Sequence, residues 1–156
     1  MALSEQIHQS KINRISLIIL RISIKKNQHS TVPFQEGDEV EVVSKENGFR
    51  GSYYTATILS SIGASHYESD TRTLLRSLDV RPVPPDQNEA VIAHGGFSVY
   101  NMVDVFANDG WWFGVIDRII GEDYYVYFPT TDDNIAYPVD VLRCHHEWVN
   151  DHWTLM

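Results

Sequence analysis

The residues with the clearest binding chemistry are two adjacent tryptophans in "DGWWFGV", which spans residues 109–115. A buried tryptophan needs a partner for its indole N–H, whereas an exposed one offers a broad ring face to a ligand. Aromatic residues make up 12% of the chain, which favours β structure or a binding surface. Trp111 and Trp112 are therefore the first candidate site residues.

Residue types that bind metals occur together in "CHHEWVNDH", which contains Cys144, His145, His146 and His152. Structural zinc usually takes paired ligands such as C-x₂-C with H-x₃₋₅-H, and this segment has a single cysteine and no such pair. The sequence also lacks G-x-S-x-G, a glycine-rich phosphate loop and H-E-x-x-H. We therefore predict no metal site, no cofactor and no enzymatic activity.

Charge is distributed unevenly along the chain. The formal net charge is −9; residues 1–30 hold five basic residues and one acidic residue, so residues 31–156 carry −13. Such an acidic body repels phosphate backbones and attracts basic peptides, although recognition of an unpaired base stays open. The apolar run at residues 17–20 is too short to span a membrane, so we expect no membrane association. The single Cys144 fits a reducing, cytosolic or nuclear compartment.

From residue 34 onward, short alternating segments separated by turns occur twice in the same order. The first copy contains "EVEVV" (39–43) and "YYTATIL" (53–59), and the second contains "MVDVF" (102–106) and "WWFGVI" (111–116). The copies are offset by 58 to 63 residues, which makes Tyr53-Tyr54 equivalent to Trp111-Trp112 and Arg81 equivalent to Arg143. This is one unit used twice. The strand spacing predicts an all-β protein of small barrels or sandwiches.

The boundary between the units lies in "RPVPPDQN" (81–88), where three prolines prevent a continuous strand. We assign residues 31–85 to the first unit, residues 94–156 to the second, and residues 1–30 to an N-terminal extension. The extension is interpreted as disordered, or as a strand or helix of no special role. No segment after residue 31 has a convincing helical period.

The motifs "FQEGDEVEV", "GFRGSYYTATIL" and "VRPVPP" of the first copy resemble the Agenet domain, a Tudor-like module found mostly in plants. In the second copy, "VDVFANDGWWFGVI", "YYVYFP" and "LRCHHEWVNDHW" resemble its usual tandem partner. The resemblance covers residues 34–153 and implies two tandem SH3-like, Tudor-like barrels. It also implies a nuclear chromatin reader whose aromatic cage takes a methylated lysine of a histone tail. Some members are instead linked to RNA handling.

One segment departs from the family pattern. Where the second copy has the strand "YYVYF", the first has the polar segment "HYESDTRTLL". The first barrel is therefore predicted to be truncated or to pair its strands differently.

Strand periodicity assigns the aromatic side chains to faces. Tyr54 begins the inner face of its strand and Tyr53 faces outward; by equivalence, Trp112 faces inward and Trp111 outward. An inner-face residue at the start of a strand lies at the barrel mouth, which is a cage position in the Tudor pattern. Phe128 lies beside Trp112 if the following strand forms a hairpin.

The predicted peptide-binding cage contains Trp111, Trp112, Phe128, Tyr53 and Tyr54, with Asp132 and Asp133 as the acidic complement. Two alternatives stay open at this point. Trp112 and Phe128 are also typical core residues of a small barrel, and Trp111 could shield the interface between the barrels. Binding of RNA by ring stacking, or of a protein without a methylated lysine, are the other functions that the sequence allows.

Overall fold

The computed structural model describes residues 34–63, 65–71 and 73–156. The predicted extension at residues 1–30 lies outside these residues. The first unit consists of β1 (Glu39–Val43), β2 (Tyr53–Ile62), β3 (His66–Ser69), β4 (Leu74–Arg76) and β5 (Val80–Pro82). The second consists of β6 (Met102–Ala107), β7 (Gly110–Ile120), β8 (Asp123–Phe128), β9 (Asp133–Tyr137) and β10 (Leu142–Cys144).

The two units have the same antiparallel strand order, β5-β1-β2-β3-β4 in the first and β10-β6-β7-β8-β9 in the second. Equivalent residues take equivalent places: Val40 pairs with Ala56, and Val103 pairs with Gly114. Each unit has its own hydrophobic core, which follows from the inward face of its strands. The prediction of an all-β protein with two tandem SH3-like barrels is confirmed.

The first unit contains a strand, β3, in the polar segment where the sequence pattern predicts none. Tyr67 on β3 is buried, its ring packs edge-on against Phe34 at 5.7 Å between centroids, and its hydroxyl oxygen accepts a hydrogen bond from the Phe34 N–H at 3.2 Å. Ser69 also points inward, and its hydroxyl is satisfied by Thr71 and Thr73. Because these contacts hold polar "HYES" as a strand, the first unit is not truncated; β3 and β4 are only shorter than β8 and β9.

A short helix, α1 (Asn88–Ala93), follows the prolines of the linker. The sequence predicts no helix here, because six residues are too few to show a helical period. The Asn88 side-chain amide donates a hydrogen bond to the Leu142 carbonyl oxygen at 2.7 Å. The linker is thereby fixed to the second unit.

The two units join through the first residues of their long central strands. Tyr53 of β2 pairs with Trp111 of β7, which connects the strands of both barrels into one sheet. A terminal hairpin of β11 (His146–Val149) and β12 (His152–Leu155) lies over this junction. Its Trp148 and Trp153 rings are 5.1 Å apart, and Arg81 donates a hydrogen bond to the His146 carbonyl oxygen. In the described residues, no helix is long and apolar enough to cross a membrane.

Candidate functional site

A cavity of about 270 Å³ lies at the mouth of the second barrel. Aromatic rings from three elements line it: Trp112 at the start of β7, Phe128 at the end of β8 and Tyr137 at the end of β9. Asp133 at the start of β9 lies in the same wall. The structure thus brings together three of the residues selected from the sequence, namely Trp112, Phe128 and Asp133.

Trp112 is held in place by its neighbours on the barrel. It pairs with Val105 of β6, and its indole Nε1–H donates a hydrogen bond to the Ala107 carbonyl oxygen at 2.8 Å. The N–H is therefore satisfied by the chain itself, and the side chain also lines the cavity. Trp112 also packs against the core of the unit. Trp112 is therefore both part of the core packing and part of the cavity wall.

Phe128 and Tyr137 form the adjoining wall. Phe128 is buried in the core, and its ring meets Tyr137 edge-to-face at 5.9 Å and 81°. Asp133, Ile135 and Tyr137 all line the cavity, as expected for alternate residues of one strand. Sequence reasoning missed Tyr137, although the alternation in "DNIAY" could have revealed it.

The two predicted acidic residues have different surroundings. Asp133 lies in the cavity wall, where burial and the charge of this carboxylate raise the pKa of Tyr137. Asp132 has a left-handed backbone (φ 62°), and its carboxylate accepts a hydrogen bond from the Tyr127 hydroxyl at 2.9 Å. That hydrogen bond raises the pKa of Tyr127. Asp133 is therefore the carboxylate placed to meet a cation in this cavity.

Tyr53 and Trp111 lie away from this cavity, at the junction of the units. The guanidinium carbon of Arg81 is 3.4 Å from the Tyr53 ring centroid, and that of Arg143 is 3.9 Å from the Trp111 centroid. Burial raises the pKa of the Tyr53 phenol in spite of the neighbouring arginine. Each of these two rings therefore has an arginine of the chain itself on one face. For Trp111, this matches the interpretation that it shields the interface between the barrels.

Tyr54 lines a different cavity, of about 510 Å³, beside the first unit. Its ring lies against Gly110, where a Cβ atom would come within 2.9 Å of the ring. Phe49, which also lines the cavity at Trp112, is the other ring in this wall, and Lys45, Glu46 and Asp109 supply charged groups. This cavity is therefore larger than the cavity at Trp112, has more charged side chains in its wall and is poorer in aromatic rings.

Below the outward rings, a buried ion-pair network joins the two units. The Glu41 carboxylate, 1% exposed, accepts hydrogen bonds from Arg81 at 2.7 and 3.0 Å and from Arg143 at 2.6 and 3.1 Å. Asp104, 2% exposed, accepts from Arg143 at 3.1 Å and from His145 Nδ1 at 2.6 Å. Because Glu41 bonds an arginine from each unit, the network fixes how the barrels sit against each other.

Protonation in this network follows from its charges. Burial alone would lower the pKa of His145, but the charge and hydrogen bond of Asp104 outweigh it and raise the pKa to about 9. Burial alone would raise the pKa of Asp104, but His145, Arg81 and Arg143 outweigh it and lower the pKa to about 2. The pair is therefore an imidazolium and a carboxylate near neutral pH.

Comparison with known proteins shows which domains share this architecture. Residues 37–85 match the family model of the Agenet domain. The crystal structure of Arabidopsis thaliana AGDP1 AGD34 superposes with a TM-score of 0.69 at 27% identity, over 79% of this chain and 90% of that one. The chain contains an Agenet domain. A second crystal structure, ADCP1 tandem Agenet domain 3-4, has the same fold (TM-score 0.66, 24% identity, 79% of this chain and 88% of that one).

Full-length relatives come from the same plant. The Arabidopsis thaliana protein named AGENET DOMAIN (AGD)-CONTAINING P1 is 29% identical over an alignment of 134 positions, which covers 78% of this Agenet chain and 25% of the relative. DUF724 domain-containing protein 3 is 31% identical over an alignment of 132 positions, which covers 73% of this chain and 18% of the relative. The chain thus spans a quarter or less of the length of these relatives.

The residues considered for zinc have other partners in this Agenet chain. Cys144 is buried in the core of the second unit, and His145 binds Asp104. His146 hydrogen-bonds through Nδ1 to the Cys144 carbonyl oxygen, and His152 to that of Asn150. These contacts give all four residues structural roles.

Proposed function

We propose that this Agenet chain binds a basic peptide of the histone-tail type and takes a methylated lysine into the cavity at the mouth of the second barrel. The observation that carries the proposal is the arrangement of Trp112, Phe128 and Tyr137 around that cavity with Asp133 in its wall. Aromatic rings on several sides and a carboxylate on one suit a ligand that is both apolar and positively charged.

The chemistry of a methylated ammonium fits these walls. Methylation removes hydrogen-bond donors and adds apolar surface while the charge is kept, so the group leaves water more readily than a free ammonium. The ring faces attract the cation with about 0.5–2 kcal/mol each, and the methyl groups pack against the rings. Asp133 then offsets the charge of the cation.

Charge on the remainder of the chain supports the same kind of partner. Residues 31–156 carry −13, a field that accelerates the approach of a lysine- and arginine-rich peptide and weakens as salt is added. The same proposal includes a nuclear location, and it includes action by binding and not by catalysis. The pairing of the buried acids and bases at the junction supports action by binding: Glu41 is bonded to Arg143, and Asp104 is bonded to His145.

The decisive experiment is a calorimetric titration of histone-tail peptides that are identical except for the methylation state of one lysine. We expect wild type to prefer the trimethylated peptide, and Trp112→Ala to lower its affinity for that peptide about tenfold or more. Tyr125→Ala is the matched control, since Tyr125 lies on β8 but outside the cavity, with Arg118 4.4 Å from its ring centroid. An affinity that does not depend on methylation would refute the proposal.

The same titration separates the proposal from the other functions. A protein-interaction module without lysine recognition would bind methylated and unmethylated peptides equally. An RNA-binding module would shift single-stranded RNA in a gel at low salt despite the negative charge of the chain. Either result without a methylation preference would replace the methyllysine function.

A further inference from the structure

We propose that the first unit supplies a further ring to the cavity of the second: Phe49 is a specificity-determining residue for the methylated ammonium, and the site is complete only across both units. This inference rests on the function proposed above. The loop that carries Phe49 connects β1 to β2 and so belongs to the first barrel. Its tip lies in the wall of the second barrel's cavity, which Gly48 and Phe49 line together with Trp112.

The geometry at Phe49 suits a ligand contact. Its ring centroid is 5.8 Å from that of Trp112, and the two planes are inclined by 48°. Phe49 is 40% exposed and lines the cavity, so part of the residue is accessible to a ligand. A large apolar side chain at a loop tip is commonly exposed without a function. This one instead packs against the ring of Trp112, which lines the same cavity.

The loop holds Phe49 in place from both sides. The Phe49 N–H donates a hydrogen bond to the Glu46 carbonyl oxygen at 3.1 Å. The Phe49 carbonyl oxygen accepts from the hydroxyl and the N–H of Ser52, at 2.6 and 3.1 Å. Ser52 is itself buried, and therefore anchors the turn to the barrel. A ring presented on such a fixed turn loses little conformational freedom when a ligand binds.

The equivalent loops of the two units differ in length, which makes the contribution one-sided. Residues 44–52 separate β1 from β2, whereas the turn between β6 and β7 consists of Asn108 and Asp109. The long loop supplies an aromatic ring to the cavity of the second barrel, whereas the short turn supplies no ring: Asn108 lines both cavities and Asp109 lines the 510 Å³ cavity. The aromatic cavity is therefore at the second barrel, and its specificity depends on the first.

The test uses the full chain and a basic peptide in three forms: with one lysine unmethylated, with that lysine trimethylated, and with a neutral tert-butyl group in place of the trimethylammonium. Phe49→Leu keeps an apolar side chain and removes the ring. We expect a loss of about three- to five-fold in affinity for the trimethylated peptide and no change for the other two. Phe49→Tyr keeps the ring and should restore the wild-type affinity.

A matched control and a second measurement guard against misinterpretation. Leu78→Ala alters an exposed apolar residue of the first unit that does not line the cavity, and should leave all three affinities unchanged. Thermal unfolding of each variant shows whether the fold is kept. Equal losses for all three peptides on Phe49→Leu, or no loss for any, would overturn the role of Phe49.

Failure of this inference can be told from failure of the proposed function. If Trp112→Ala removes the methylation preference and Phe49→Leu leaves it intact, the cavity is a methyllysine site without a contribution from the first unit. If wild type shows no methylation preference at all, the proposed function fails, and the role of Phe49 fails with it.

Discussion

The guanidinium carbon of Arg143 lies 3.9 Å from the ring centroid of Trp111, on the other side of the strand from the cavity that holds Trp112. Arg81 and Tyr53 make the equivalent contact in the first unit at 3.4 Å. Glu41 bonds both arginines between the barrels. The two adjacent tryptophans therefore have different roles. Trp111 covers a buried ion-pair network, and Trp112 lines the candidate site.

Replacement of Trp111 tests the first of these roles. We expect Trp111→Ala to lower the free energy of unfolding by about 2–3 kcal/mol, because it removes a ring from the junction and admits water to the ion pairs. Urea denaturation followed by circular dichroism measures the change. Trp111→Phe should lower the free energy of unfolding by less, and both variants should still prefer the trimethylated peptide. Wild-type stability of Trp111→Ala would show that the ring does not protect the network.

Glu41 is the residue on which the junction depends most. We expect Glu41→Gln to lower the free energy of unfolding by about 3–5 kcal/mol, since it leaves Arg81 and Arg143 buried without their shared carboxylate. Glu39→Gln on the same strand is the control, because Glu39 is exposed and its replacement should change stability by less than about 0.5 kcal/mol. Similar stabilities of the two variants in chemical denaturation would contradict the importance of the network.

The pair of His145 and Asp104 predicts how stability depends on pH. His145 has a pKa raised from 6.5 to about 9 in the folded chain, so its contribution is fully present below pH 6.5 and is lost as pH rises through 9. Asp104 has a pKa lowered from 3.8 to about 2, so its contribution is present above pH 3.8 and is lost as pH falls through 2. The contribution of this pair to the free energy of unfolding is therefore greatest between about pH 3.8 and pH 6.5.

Denaturation at a series of pH values measures this dependence. In His145→Gln, most of the decline in the free energy of unfolding between pH 6.5 and 9 should be absent, because the variant has no imidazolium to release a proton. An unchanged alkaline decline in His145→Gln would show that another group causes it.

Much of the candidate site was within reach of the sequence because strand periodicity and the repeat act locally. Val40 and Val103, selected as equivalent, are both fully buried at matching positions. Inward alternation placed Trp112 at the barrel mouth, and the expected hairpin placed Phe128 next to it. The sequence indicates Asp133 only as an acidic residue of the segment that follows Phe128, and in the structure it begins β9. Whether these residues bind a methylated lysine stays a prediction.

The remaining features depend on contacts between distant parts of the chain, which no local pattern encodes. Phe49 lies in a loop between strands, where periodicity assigns no face, and reaches a cavity of the other unit. Glu41 looks like an outward-facing acid in "EVEVV", yet it is buried because a second barrel covers that face. Tyr67 sustains β3 through contacts with Phe34, which sequence spacing does not reveal.

Gly114 links the packing of the second barrel to its cavity. A Cβ atom here would overlap Cγ1 of Val126 and come within 3.1 Å of the Tyr127 carbonyl oxygen and 3.5 Å of the Phe128 ring. We expect Gly114→Ala to push β8 outward, to lower the free energy of unfolding by about 1–3 kcal/mol, and to weaken binding of the trimethylated peptide by moving Phe128. Chemical denaturation and peptide titration measure the two effects.

The first unit provides the control for this change, because Ala56 occupies the equivalent position with its Cβ accommodated in the core. Ala56→Gly should cost about 0.5–1 kcal/mol through the flexibility of glycine in a strand, with no effect on peptide affinity. If Gly114→Ala binds the trimethylated peptide as tightly as wild type, the position of Phe128 does not limit the site. If Ala56→Gly weakens binding to the same degree, the effect reflects general destabilisation and not the displacement of β8.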